Sequence, residues 1–376
     1  MVDLNRRGLM LAAGSTLAAS AIGAPAFAAA EDRKVGYAIV GLGGYGLGII
    51  IPQFKNCQHS RLVALVSGDP AKAKRVAAEY GVPETHIYNY QNYDSIRANP
   101  DIDVVYVCLP VSMHAEYTIR AARAGKHVMC EKPMAVSSAE CEAMIAACRQ
   151  AGKKLMIGYR CHFEPNNLEA IRRARAGEIG KLRYFRSEHG FVAGNPSAWR
   201  LKKAMSGGGS LMDIGIYALN ASRYMTGEEP VSVYATERTE RTDRSDPRFR
   251  EVEDMIEFEL EFPSGVLGSC MSMYSANRNQ ILLMGEKGRI ELEPATSYQG
   301  IRLRVGSGMG EAVTPPPTTG LRAGTTMWAG QLDHLAQCIR QNREPIVAGE
   351  EGLRDIRIIE AIYQSARERR RIALRA

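Results

Sequence analysis

The chain has 376 residues, of which 45% are hydrophobic and 24% charged, and a formal net charge of +7. That length accommodates two ordinary domains, and the composition excludes a disordered, collagenous or coiled-coil chain. The positive charge is dispersed without aromatic interleaving, and its densest stretch, Arg367 to Arg371, closes an expected C-terminal helix whose dipole it complements. A nucleic-acid partner is therefore not expected.

Residues 1–28 read as a segment outside the fold. Arg6 and Arg7 precede a mildly apolar stretch from Leu9 to Ile22, and Ala26-Phe27-Ala28 has the small-x-small pattern of a cleavage point. The stretch is too short and too weakly apolar to span a bilayer, and no other segment approaches transmembrane length, so membrane insertion is not expected. Asn5-Arg6-Arg7-Gly8-Leu9-Met10 resembles the twin-arginine export signal, whose pathway carries folded proteins; a periplasmic location follows as an expectation. The 8 cysteines include no C-x-x-C pair and no Cys/His cluster with zinc-like spacing, so neither a metal site nor a disulfide framework is expected.

From 34 to 158, short apolar runs alternate with helix-like segments. Val35 to Val40, Leu62 to Val66, Val104 to Cys108, His127 to Cys130 and Leu155 to Ile157 read as buried strands. Helices are expected from the glycine turn after Val40 to about Cys57, from Pro70 to Tyr80, from about His114 to Ala124 and from Ser138 to Ala151. Near-continuous apolar strands separated by helices predict an α/β fold with a parallel, doubly wound sheet.

The rhythm changes across 159–345. Leu182 to Phe191, Val231 to Glu240, Glu253 to Phe262, Val266 to Tyr274, Gln280 to Met284 and Arg289 to Leu292 alternate like half-buried strands, with turns between them. They predict a second, α+β domain built on a large, mostly antiparallel sheet. Gly306 to Gly324 reads as a Pro/Gly-rich loop. Two helices, roughly Met327 to Gln341 and Gly352 to Arg370, follow, the latter within a C-terminal segment at 346–376.

Gly41-Leu42-Gly43-Gly44-Tyr45-Gly46 is G-x-G-x-x-G, placed after a strand and before a helix, as dinucleotide binding requires. The first glycine permits the tight turn, the second the approach of a pyrophosphate, and the third close packing of helix on strand. About 20 residues further on, where an NAD site usually places a carboxylate, stand Ser67 and Gly68. Asp69 precedes Pro70 and reads as a helix N-cap. Lys72, in the first turn of that helix, is placed to meet a 2′-phosphate, which favours NADP.

Glu131-Lys132-Pro133 follows a strand at the carboxyl edge of the sheet, where the lysine would project into the crevice. Gly207-Gly208-Gly209 opens a segment in which Asp213 and Tyr217, four apart, share a helix face. The glycines allow close backbone approach to a ligand or a mobile lid. A tyrosine near an ammonium can be acidified, because the positive charge favours phenolate. It could then exchange protons with a sugar hydroxyl or carbonyl oxygen. Each segment also has a bland alternative: a turn ion pair for the first, a core tyrosine for the second.

Together, Ser67-Gly68 with Lys72, His127 to Pro133, Gly158-Tyr159-Arg160-Cys161-His162, Trp199-Arg200 and Gly207 to Tyr217 resemble the Gfo/Idh/MocA oxidoreductases, in their glucose–fructose oxidoreductase-like branch. The resemblance runs from about Lys34 to the C-terminal helix. Many family members carry histidine where this chain has Tyr217, whereas that branch carries tyrosine. The resemblance implies a Rossmann domain, an open-faced second sheet supporting a homo-oligomer (dimer or tetramer), and tightly bound NADP(H). By position it makes Lys132, Asp213 and Tyr217 the catalytic group, with Arg160 joining them at the substrate. Cofactor contacts are implied for Gly41, Leu42, Gly43, Gly44, Tyr45 and Gly46, and for Ser67, Gly68, Lys72 and Tyr90. Leu109, Pro110, His114, Glu131 and Lys132 belong to the same set, as do Arg160, Trp199, Arg200 and Tyr298. The branch also carries a long proline-rich arm after its signal. Here only about Ala29 to Arg33 separates the expected cleavage site from the first strand, so the resemblance does not extend to that arm.

The expected activity is a ping-pong cycle. Tyr217, acidified by Lys132, takes the C1 hydroxyl proton of a cyclic aldose, the hydride passes to the nicotinamide and an aldonolactone leaves. A second sugar, aldose or ketose, is then reduced to an alditol. The alternatives are a nicotinamide-dependent glycoside hydrolase of the same superfamily, and a non-catalytic sugar or nucleotide sensor.

Overall fold

The protein is described from a computed structural model, which covers residues 33–239, 251–308, 310–315 and 326–374. The expected signal at 1–28, residues 29–32, and much of the expected Gly306 to Gly324 loop lie outside those residues.

Strands β1 (Val35–Val40), β2 (Ser60–Val66), β3 (Ile87–Tyr88), β4 (Val104–Val107), β5 (His127–Cys130) and β6 (Leu155–Ile157) form one parallel sheet in the order β3-β2-β1-β4-β5-β6. Both β1 and β4 are buried along their whole length, as their unbroken apolar runs require of strands covered on both faces. The order reverses between β1 and β4, so a crevice opens beyond their carboxyl ends.

Between the strands run α1 (Pro70–Tyr80), α2 (His114–Arg123) and α3 (Ser138–Gln150). The Asp69 carboxylate caps α1 by accepting from Lys72 N at 2.9 Å, with Pro70 in the first turn and Gly81 left-handed at the far end. The segment after the glycine turn departs from a regular helix. A widened turn at Gly46–Ile50 passes into a tight one at Ile51–Asn56, because Pro52 has no amide proton to continue the ladder. The two-residue β3, at the sheet edge, has too little pattern to be foreseen.

Among the described residues the second sheet holds nine strands. Six lie near their expected places: β7 (Leu182–Gly190), β8 (Ser232–Arg238), β9 (Met255–Glu261), β10 (Leu267–Met273), β11 (Arg278–Gly285) and, over the whole expected stretch, β12 (Arg289–Leu292). They are followed by β13 (Leu303–Gly306), β14 (Glu311–Val313) and β15 (Ile372–Ala373), in the order β14-β13-β12-β11-β7-β10-β9-β8-β15. All neighbours are antiparallel except β7 and β10. In β9 the alternation is strict: Ile256, Phe258 and Leu260 are buried while Glu257, Glu259 and Glu261 face solvent. Helices α4 (Pro165–Arg175), α5 (Lys203–Ser206) and α6 (Ile216–Thr226) belong to this half, and α4 and α6 pack against its inner face. The outer face is open, with Leu267 and Met284 exposed and Arg278 paired to Glu188 at 2.7 Å. Strands β13, β14 and β15 were not foreseen. Short edge strands are recruited by pairing with a neighbour, and β14 falls in the stretch that reads as a loop.

The last two helices, α7 (Met327–Arg340) and α8 (Gly349–Glu368), tie the chain back to the parallel sheet. Tyr37 of β1 donates to Leu332 O at 2.8 Å, and the Asp333 carboxylate accepts from Gln58 N and His59 N. Met156 of β6 pairs antiparallel with Ala348. The crevice at the carboxyl edge is thereby held between two halves that share a core.

Candidate active site

A cleft of about 1140 Å³ runs from the glycine turn to the inner face of the second sheet. Every residue that the family resemblance implies for cofactor, substrate or catalysis lines it, from Gly41 to Tyr298, whereas the triple glycine at 207–209 does not. At the turn, Gly41 has φ +97°, and a Cβ there would lie 2.4 Å from Cys108 O; one on Gly46 would lie 2.5 Å from Gly41 O. Those two glycines are demanded by protein packing. Gly43 and Gly44 instead face open space on the cleft side, leaving backbone free for a ligand's approach.

Ser67 is buried at the end of β2, and its hydroxyl accepts from Asp69 N at 3.1 Å. Asp69 is spent on the α1 cap and lies 3.8 Å from the Lys72 ammonium, which is partly exposed at the rim. The Tyr90 ring covers Gly68, where a Cβ would come within 3.1 Å of it. Leu109 and Pro110 follow β4. His114 ties that turn to the next, its two ring nitrogens each 2.9 Å from a carbonyl, those of Leu109 and Pro133. Burial holds this imidazole below its usual pKa.

Beyond β5, Glu131 is buried and accepts a short hydrogen bond from Tyr106 OH; burial pushes its carboxyl up. Lys132 Nζ donates to the backbone oxygen of Asp213 and lies 3.5 Å from Asp213 Oδ1. The other carboxylate oxygen, Oδ2, accepts from Arg200 Nε at 3.0 Å and from Tyr274 OH at 3.1 Å. Burial alone would raise the Asp213 pKa, but Lys132, Arg200 and Tyr274 outweigh it and hold the group below the ordinary carboxylate range. The Arg200 guanidinium also lies over the Trp199 ring, 5.6 Å from its centroid.

Tyr217, in the first turn of α6, presents its hydroxyl to Arg160 Nε at 3.2 Å and its ring to Lys132 Nζ, 4.7 Å from the centroid. The expected acidification of Tyr217 by Lys132 is corrected here. Burial pushes the phenol well up, and the largest influence acting against it is the Arg160 guanidinium. The Lys132 ammonium faces the ring and is engaged by Asp213. Arg160 further donates to Thr296 O and lies over the Tyr298 ring at 4.8 Å.

The triple glycine is also corrected. A Cβ on Gly208 would lie 2.1 Å from Tyr363 OH, and one on Gly209 would lie 2.1 Å from Glu253 O. Close packing against protein, not against a ligand or as a hinge, explains them. Buried Glu253 accepts from Gly209 N, Leu211 N and Tyr363 OH, fixing the turn Leu211–Gly215 that carries Asp213.

Several contributors carry no motif in the sequence: Tyr274, Glu253, His189 and the Asn279–Thr296 pair. Each sits on a strand or loop of the second sheet, and their only signal is alternation that aims them inward. His189 lies with its ring 6.1 Å from that of Tyr217, and burial, helped by Arg160, lowers its pKa to about 3.

A glycine-turn crevice leading to a lysine, a carboxylate and a tyrosine defines a nicotinamide-dependent oxidoreductase. Residues 35–159 match the oxidoreductase family with an NAD-binding Rossmann fold, and 172–374 match the C-terminal alpha/beta domain of the same family. The chain belongs to the Gfo/Idh/MocA oxidoreductases. It is 55% identical to aldose–aldose oxidoreductase from Caulobacter crescentus, whose structure with glycerol superposes with a TM-score of 0.87 over 91% of this chain and 100% of the other. D-xylose 1-dehydrogenase [NADP(+)] from Haloarcula marismortui is 30% identical over 90% of this chain and 92% of its own. A 3-ketoreductase from Actinomadura kijaniata, solved with NADP and TDP-benzene, shares the fold at 23% identity and a TM-score of 0.76, covering 89% of this chain and 98% of its own.

Proposed function

We propose that the protein is a sugar oxidoreductase that retains NADP(H) between turnovers, oxidises C1 of a cyclic aldose to an aldonolactone, and reduces a second sugar to an alditol. The observation that carries this is the gathering of Lys132, Asp213 and Tyr217 at the far end of a cleft that begins at the glycine turn. The kinship with an aldose–aldose oxidoreductase and an NADP-linked D-xylose dehydrogenase supports the substrate class.

The residues present fit the cofactor. Gly43 and Gly44 leave the backbone open for a pyrophosphate, and no carboxylate is free at the end of β2, since Asp69 caps α1. Lys72 stands beside Ser67 for a 2′-phosphate. When bound, the nicotinamide supplies a hydride acceptor for the first sugar and a donor for the second. The chain's own groups handle position and protons. The Tyr217 phenolate takes the C1 hydroxyl proton in the oxidative half, and the phenol returns one to the carbonyl oxygen in the reductive half. Anionic Asp213, held by Lys132, Arg200 and Tyr274, accepts hydrogen bonds from sugar hydroxyls. Phe191, Trp199 and Tyr298 line the cleft with apolar surface that excludes water.

The reading extends to export by the twin-arginine signal into the periplasm, where a closed two-sugar cycle regenerates a carried cofactor. It extends also to a homo-oligomer that covers the open face of the second sheet. The test is to purify the chain, assay for bound nicotinamide, and supply pairs of sugars without added cofactor. Bound NADP(H), lactone and alditol are expected. Absence of bound nicotinamide, or of lactone, overturns the reading, and release of aglycone from aryl glycosides replaces it with a hydrolase.

A further inference from the structure

Arg160 opens the turn Arg160–Phe163 after β6 and is 3% exposed. Its guanidinium donates to the Tyr217 hydroxyl, the Thr296 carbonyl and the Met327 thioether, and among the described residues no carboxylate is one of its partners. A buried charge without a counterion is costly, so a fold that retains one places beside it a group able to become its partner. The Tyr217 oxygen, at 3.2 Å from Nε, is that group.

The nearby Lys132 is committed to Asp213 and meets Tyr217 at the ring face. The Arg160 guanidinium is aimed from behind by a clamp in the second sheet. Asn279 Oδ1 accepts from Ala295 N and Thr296 N, both at 2.9 Å, and Asn279 Nδ2 donates to Ser297 Oγ at 3.1 Å. The loop thus fixed presents the Thr296 carbonyl to the guanidinium and sets the Tyr298 ring over it.

We propose that Arg160 is the counterion of the Tyr217 phenolate and that Asn279 is the positioning residue that aims it, an inference that rests on Tyr217 being the proton-exchanging group. Deprotonation of Tyr217 then converts a lone buried cation into a hydrogen-bonded ion pair. The other ionisable groups facing Tyr217 are Glu131 and Lys132 beyond β5, Cys161 beside Arg160, and His189 from β7. Tyr45 of the glycine turn, Tyr298 of the clamped loop, and Asp213 and Tyr224 on its own segment complete the set. Lys132 is drawn with Arg200 to the Asp213 carboxylate and meets Tyr217 at the ring face, not at the oxygen, and Glu131 opposes phenolate formation. Arg160 is therefore the cation in hydrogen-bond contact with the phenol oxygen itself.

The test is position-specific replacement of Tyr217 by difluorotyrosine, whose more acidic phenol titrates under milder conditions, with fluorine NMR on the purified full chain as the readout. Arg160→Gln is expected to raise the phenol transition by about one to three pH units, the range for a group losing an adjacent opposite charge. Asn279→Ala should raise it by less, and Arg160→Lys should fall between Arg160→Gln and the parent. With the natural tyrosine, the ascending limb of kcat/KM against pH should move up in step. A merely structural role would lower the rate at every pH and leave the limb in place. Asn279→Ala keeps the guanidinium and gives the answer even if Arg160→Gln does not fold. A transition unmoved in all three variants overturns the proposal. The titration needs no sugar, so it is scored apart from lactone formation: a shift without lactone overturns the proposed reaction and leaves the ion pairing standing.

Discussion

The two ends of the cleft are built in different ways. The glycine-turn end is local: Gly41, Gly43 and Gly46 lie within one turn, and Ser67, Asp69 and Lys72 within another, both following strands of one parallel sheet. The polar end is assembled from afar. Asp213 is held by Lys132, Arg200 and Tyr274, and Tyr217 by Arg160, whose aim depends on the loop after β12. A local site survives on backbone geometry, whereas an assembled one depends on the packing of two halves against each other.

That contrast can be broken at several points. Tyr217→Phe, at the assembled end, should lower sugar turnover by about 10³-fold or more while bound nicotinamide remains, since a positioned acid–base group contributes roughly 10²–10⁴-fold. Steady-state lactone assays beside cofactor absorbance check it, and retained activity would remove Tyr217 from the chemistry.

Next is Gly208→Ala, whose new methyl meets the Tyr363 hydroxyl. Overpacking of this kind costs about 1–3 kcal/mol, measured by denaturant unfolding. Adding Tyr363→Phe should recover part of that loss. A Gly208→Ala protein with parental stability and altered sugar binding would instead restore a ligand-facing role for the glycine.

Buried His189 sharpens the comparison through pH. Its folded value of about 3 lies below its ordinary 6.5, so the unfolded chain binds the proton more readily. Its contribution to stability is complete above about 6.5 and is lost as pH falls toward about 3, with a slope of up to about 1.4 kcal/mol per pH unit. His189→Asn should flatten the acid limb of urea midpoints against pH, and an unchanged slope would contradict the assignment. The smallest effect is expected at the local end. Lys72→Met should weaken discrimination of NADP over NAD by about tenfold, the scale of one exposed charge on a phosphate. Cofactor exchange read by absorbance measures it.

Both domains of the α/β architecture were legible, because strands buried on both faces and strands buried on one carry different periodicities. The β1 run and the β9 alternation are the clearest cases. The edge pieces β3, β13, β14 and β15 were not, since two to four residues hold no period and take their shape from a neighbour. Tyr274 and Asn279 were invisible as site residues for a related reason. Each sits at the end of an ordinary strand, and nothing nearby in sequence says what that end will meet.

What the sequence determined by itself was the dinucleotide turn, the neutral end of β2, the capping role of Asp69, and the presence of Lys132, Asp213 and Tyr217 in one chain. Those are matters of backbone conformation and short-range spacing, which a few consecutive residues dictate. Only the tertiary structure decided which cation meets which oxygen: Lys132 goes to Asp213, and Arg160 to the Tyr217 hydroxyl. Electrostatic pairing depends on distance and burial, and both arise only when segments far apart in the chain close on the same cleft.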